Sequence, residues 1–257
     1  MNHALVQTDL SAPTVEQLKR AFTALQTLTE ADAIKVAREA YGILLKNLSR
    51  EEASTLASVL RDQGVVAAAV EMDQLPRLPD AKFVKRLEFQ PHALVIYDPL
   101  GRPVPIEWPH VTLLAAGVVR HFDVAKTRTE ERVTTYSPLR GVHTKTVTDV
   151  RHRVEAEGQF LLDIFLAGGT ARFQIEAESF LFKYTVDRPE LALEQRFSLL
   201  VNLLIERAPH TVLNRGAFQI RQGAARVMAY ASKAALFEES SWLLWLLAQR
   251  KSGPLGP

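Results

Sequence analysis

The chain contains no cysteine. Disulfides, thiolate nucleophiles and every thiolate-ligated metal site are thereby excluded. Glycine is scarce, 12 in 257 residues, against a usual share of about 7%. That leaves little material for glycine-rich phosphate loops. The signatures of the common enzyme classes are missing too: no GxSxG elbow, no GxxxxGKS or GxxxxGKT loop and no GxGxxG turn. Long apolar runs are also lacking. Residues 111–119 are interrupted by Gly117, and 242–248 is a short run, whereas a spanning helix needs ~20 residues. The opening MNHALVQTDL has no basic stretch followed by an apolar core and a small-residue cleavage site, so a cytoplasmic protein is expected. Neither sign of charge is in excess, with 31 Lys and Arg against 29 Asp and Glu. A dedicated nucleic-acid binder carries a strongly basic domain, so nucleic acid is not expected as a partner.

What is present is an ordinary globular composition, 47% apolar and 23% charged. The best boundary is the linker 77–80 within Leu75-Pro76-Arg77-Leu78-Pro79-Asp80. Helix signals dominate before it and strand signals after it. A strand is expected at 4–7. Pro13, between Ser11 and Thr14, marks a helix start, and Leu18, Phe22 and Leu25 follow at helical spacing. Thr29 with Asp32, and Ser49 with Glu52, have the spacing of capping boxes. Strands are expected at 41–45 and 65–70, with Gly64 ending the helix between them. The order over 1–76 is strand, helix, helix, strand, helix, strand.

That order, with Ala40, Leu44, Ser49, Ala53, Leu56, Leu60, Gly64 and Val70, resembles the C-terminal domain of the ribosomal stalk protein, the prototype of the ClpS-like fold. In that family a basic and apolar face on the first two helices recruits translation factors. The resemblance makes Lys19 and Arg20 candidates for part of such a face. Leu25-Gln26-Thr27-Leu28 stands where the family has a Gly-Leu-Gly turn.

Beyond the linker, strands are expected at 83–89, 92–97, 104–108 and 111–119, with Asp98-Pro99-Leu100-Gly101 as a turn. A polar stretch, 119–158, is followed by strands at 160–166, 171–177 and 180–184, the first two joined at Gly168-Gly169. A helix then carries Leu193, Phe197, Leu200, Val201 and Leu204 up to Pro209. Four strands, three strands and a helix, together with IEWPHVTLLAAG, resemble a bacterial pleckstrin-homology-like (PH-like) antiparallel barrel over 81–208. The resemblance implies a helix plugging two packed sheets. Lipid-binding members carry cations in their first loop, but Phe89-Gln90-Pro91-His92 has none, so phosphoinositide binding is not expected.

Few residues suggest chemistry. The seven histidines form no HExxH motif and no helical i,i+4 pair. His121 and Asp123 lack a third metal ligand. Asp163, inside FLLDIF, should face solvent by alternation with Leu162 and Ile164. No cofactor, metal or catalytic residue is assigned. The stretch 119–153 is basic and threonine-rich, from Arg120 and Lys126 to Arg151 and Arg153, and reads as a solvated loop or extended hairpin.

The last segment, 209–257, reads as a helical tail with helices at 224–236 and 240–251. Trp242, Trp245 and Leu246 share a face, and Leu243, Leu244 and Leu247 cover most of the rest. A helix apolar all round must be buried on several sides, so packing on the chain's own domains is the leading expectation. Alternatives are a partner groove, or a membrane surface helped by Arg250 and Lys251. The whole is read as an α+β protein: a ClpS-like module, a PH-like barrel and a tail. The leading function is a non-catalytic cytoplasmic interaction or adaptor protein with a protein partner, Lys19, Arg20, Trp242 and Trp245 being its candidate contacts. Peripheral membrane association and an enzyme with an unrecognised pocket are the alternatives.

Overall fold

The computed structural model describes residues 2–137 and 141–251, and within them the side chains of 2–120 and 158–250. The chain opens with β1 (His3–Gln7), α1 (Val15–Phe22), α2 (Glu30–Glu39), β2 (Ile43–Leu48), α3 (Arg50–Asp62) and β3 (Ala67–Glu71). Each helix starts at a reciprocal cap. Thr14, Thr29 and Ser49 accept from the N3 amide, while the side chains of Gln17, Asp32 and Glu52 accept from the cap's own amide. Gly64, at φ +78°, ends α3 in the left-handed region. The strands form an antiparallel sheet in the order β2-β1-β3. The three helices cover one face of it, where Leu5, Leu44 and Leu48 meet Leu18, Phe22, Val36, Leu56 and Leu60.

The chain continues through β4 (Ala81–Phe83), β5 (Leu87–Phe89), β6 (Ala93–Tyr97), β7 (Pro103–Glu107), β8 (Val111–Ser137), β9 (Gly141–Leu166) and β10 (Ala171–Glu176). It ends with α4 (Leu193–Arg207), β11 (Val212–Leu213), α5 (Arg215–Arg221), β12 (Ala229–Tyr230) and α6 (Lys233–Lys251). Strands β5-β6-β7 form a second antiparallel sheet. The third runs β11-β8-β9-β10-β4, with β12 also paired to β8. In it β4, β11 and β12 join in parallel. The protein is therefore α+β. The expected antiparallel barrel is not formed: the described strands make three open sheets. The expected strand 83–89 splits at 84–86, so β4 joins β10 while β5 pairs with β6. A turn at Trp108–His110, with Pro109 inside it, separates β7 from β8.

Two more expectations are corrected. Residues 180–184 are not a strand but hold a 3-10 turn at Phe182–Tyr184. The expected helix 224–236 is replaced by Gly223, left-handed at φ +76°, the short strand β12, and a single helix α6. That helix runs through Ser240-Ser241, where the Ser240 hydroxyl satisfies itself by donating to the Leu236 carbonyl at 3.0 Å.

The third sheet is covered on both faces. Leu114 and Ala116 of β8 and Leu162 and Ile164 of β9 pack with β5–β7, Phe197 and Leu200. Leu113, Ala115, Leu161 and Phe165 face α6 and the first sheet. Asp163 lies on that second side and is fully buried. The solvent-facing expectation fails because alternation distinguishes the faces of a strand but does not say that one of them is wet.

Residues 1–119 and 159–257 form one compact unit and 120–158 another. The second consists of the strand segments 120–137 and 141–158, in accord with an extended hairpin. The side chains expected to matter there, His121, Asp123 and the basic residues from Lys126 to Arg153, lie outside the described residues, as does that of Lys251.

Helix α6 joins the first sheet to the third. Trp242 is fully buried, and its Nε1–H donates to the Gln7 carbonyl at 2.7 Å. Its ring lies edge-on to Tyr41, 5.1 Å between centroids. It fills the space beside Gly42, where an added Cβ would sit 2.1 Å from a ring carbon. Gly42 itself has φ +83°, a conformation glycine adopts without cost.

Two outcomes follow. Trp242→Ala should cost about 3–5 kcal/mol. Gly42→Ala, which adds a Cβ to a filled space, should cost about 1–3 kcal/mol and more for its positive φ. Urea unfolding of both checks this, and a wild-type midpoint for either would contradict the packing. Ser49→Ala should cost about 0.5–2 kcal/mol. The Ser49 amide and hydroxyl hold the Glu52 carboxyl below its usual range, and the Thr29 hydroxyl and amide do the same for Asp32. For carboxyls lowered in this way, stability is present above their unfolded values and is lost as pH falls through the folded ones. Melting scans down an acid series should show the Ser49→Ala deficit shrinking.

Candidate interaction site

A groove of about 430 Å³ runs beside β2. Ile43, Leu44, Leu45 and Lys46 all line it. Successive strand residues point to opposite faces, so four in a row lining one groove means that it follows the strand's edge. That edge is open: β2 ends its sheet and pairs only with β1 among the described residues. One wall is α2, with Asp32, Lys35, Val36 and Glu39; the other is the turn into α6, with Ser232, Ala234 and Ala235. A second depression of about 440 Å³ continues past Met72, Leu75 and Arg77. Both are lined by Ile43, Lys46 and Glu238, and the Lys46 ammonium donates to the Glu238 carboxylate at 2.6 Å. The groove therefore offers unpaired backbone groups, an apolar strip and mixed charge on its rim.

The residues singled out from sequence lie elsewhere. Lys19 is on α1 beside Glu16 and Glu30, at 3.6 and 3.5 Å, and Arg20 is exposed on the same helix. Trp242 and Trp245 are buried in the core shared by α6 and the two sheets. The structure does not bring the two pairs together, and the tryptophans are covered by their own chain. Lys46 and Glu238, 192 residues apart, carry no signal that sequence reading could have joined.

Asp163 has structural partners. It accepts from Arg172 Nη2 at 2.9 Å and from Gln174 Nε2 at 2.8 Å. Burial pushes its carboxyl up, against the pull of the Arg172 guanidinium and the Gln174 amide. Phe237 of α6 lies under the guanidinium, 4.0 Å from Cζ to the ring centroid. A second buried carboxylate, Glu239, accepts from the Tyr230 hydroxyl at 2.8 Å and from the Arg215 amide at 2.8 Å. Burial, with the Glu239 charge beside it, drives the Tyr230 phenol well above its usual range. Both networks tie α6 to the third sheet. Among the described residues no three His, Asp or Glu side chains are placed to hold a metal, and no helix is long and apolar enough to cross a membrane.

Asp163→Ala should cost about 3–5 kcal/mol, because it leaves Arg172 charged and unpaired inside the protein. Asp163→Asn, which keeps an acceptor, should cost less. Denaturant titration ranks them, and equal losses would show that a neutral acceptor at 163 cannot stand in for the carboxylate.

Compared with known proteins, the chain matches no protein-family model, no curated protein and no solved structure.

Proposed function

We propose that the protein is a non-catalytic interaction module of the cytoplasm that takes an extended peptide segment of a protein partner along the open edge of β2. The observation that carries this is the placement of that edge in the groove between α2 and the start of α6. An added strand there satisfies its main-chain groups against β2, while its alternate side chains meet the α2 wall and the Ala234–Ala235 wall. The size of the groove is that of ordinary ligand sites, about 300–1,000 Å³. The strand and helix order of 1–76, like that of the ClpS-like fold, supports a binding role by analogy. The tryptophans that a membrane-docking tail would need are buried, which leaves the peptide reading with the better support.

The test is selection of peptides from a displayed library on the full chain, followed by hydrogen exchange. Bound peptide should slow exchange at the amides of 43–46. Ala234→Trp, at an exposed position on the groove wall, should fill the groove and weaken binding about ten-fold or more, while the melting temperature stays within a few degrees. Selected peptides that leave 43–46 unprotected, or that bind Ala234→Trp as well as wild type, would overturn the proposal.

A further inference from the structure

We infer that Arg86 anchors a second binding site, one for a carboxylate of an acidic peptide segment. Its guanidinium lies between two aromatic rings, 3.9 Å from the centroid of Tyr97 and 4.1 Å from that of Tyr184. Nε and Nη2 both donate to a single oxygen, Glu88 Oε1. The Tyr97 hydroxyl donates to the other, Oε2, at 3.0 Å. Both oxygens of Glu88 are thus engaged, and the hydrogen bond from Arg86 holds its carboxyl below the usual range. Nη1 makes no hydrogen bond among the described residues. The Arg86 side chain is 35% exposed, so the free edge of a fixed, planar fork is open to an incoming anion. A guanidinium edge matches the two oxygens of a carboxylate. Because the rings already immobilise the side chain, little rotamer freedom remains to be lost on binding.

The surroundings favour an acidic peptide. The Leu181 amide donates to the Lys85 carbonyl at 2.8 Å, which sets 181–184 against 85–86. Lys85 and Lys183 are exposed, and neither has a carboxylate partner among the described residues. Leu181 is 44% exposed and offers an apolar contact beside the cations. Stacked bases are a poor fit, since each tyrosine face that meets Arg86 is already covered. A flat lipid surface is a poor fit as well, because it engages protruding cations and Arg86 is held back between rings. This site is independent of the β2 groove.

The experiment uses the full chain labelled with nitrogen-15 and follows the Arg86 Nε–H resonance. The probes are a pool of short peptides with Asp or Glu beside Leu, the same pool with Asn or Gln replacing the acids, inorganic phosphate, and phosphatidylserine vesicles. The acidic pool should shift Arg86 and the amides of 85 and 181–184 saturably, and the neutral pool should not. Arg86→Lys keeps the charge but loses the fork, and should weaken binding about ten-fold or more. Lys85→Glu with Lys183→Glu, both at exposed positions, should weaken it while leaving the melting temperature unchanged. The inference is overturned by no saturable shift with the acidic pool, by an equal response to the neutral pool, by unchanged binding in the double reversal, or by a response to phosphate or vesicles alone.

Discussion

The seat of Trp242 against Gly42 is the contact on which the rest of the molecule depends. One indole is buried between the first sheet and α6, donates to the Gln7 carbonyl, and occupies space that any side chain at 42 would need. Gln7 is held in turn, since its side-chain oxygen accepts from the Gly42 amide at 2.8 Å. The backbone at the end of β1, the backbone entering β2 and the middle of α6 are thus fixed by a single side chain. A ring of that size buries about 150–250 Å², so it orders three segments that are far apart in sequence.

From that seat α6 reaches in three directions. Lys46 meets Glu238 beside the first sheet. Glu239 satisfies Tyr230 and Arg215, and Asn214 completes that network by bonding the backbone of Ala116 in β8 through both its amide nitrogen and its oxygen. Phe237 covers Arg172, which is paired with Asp163. Buried polar groups are costly unless partnered; Asp163 and Arg172, or Tyr230 and Glu239, are nine residues apart, whereas Lys46 and Glu238, or Asn214 and Ala116, are remote in sequence.

The same arrangement shapes the groove proposed as a site. With α6 packed against one face of the first sheet and α1–α3 against the other, β2 keeps its edge free and has a wall on each side. The two proposed sites use different chemistry. The β2 groove offers main-chain hydrogen bonds and an apolar strip, whereas Arg86 offers a charged fork held in place by two tyrosines. Neither proposed site depends on a titrating or nucleophilic side chain.

Much of the local structure was legible in the residues. The caps at Thr29 and Ser49, the left-handed end at Gly64 and the order of elements over the first 76 residues all follow from neighbours within a turn of one another, where backbone chemistry acts at short range. The burial of the tail was legible too, because a helix apolar on every side has few other places to go. The open sheets, the inward side of Asp163 and both candidate sites were not. Each depends on what covers a strand face or edge: the alternation around Asp163 is the same whether water or α6 lies beyond it. Lys46 and Glu238, or Arg86 and Tyr184, become neighbours only once the sheets and helices have packed. Short-range chemistry set the starts of α1–α3 and the apolar stripes; packing decided which stripes meet and where α6 begins, because burial drives apolar surface together without naming its partner.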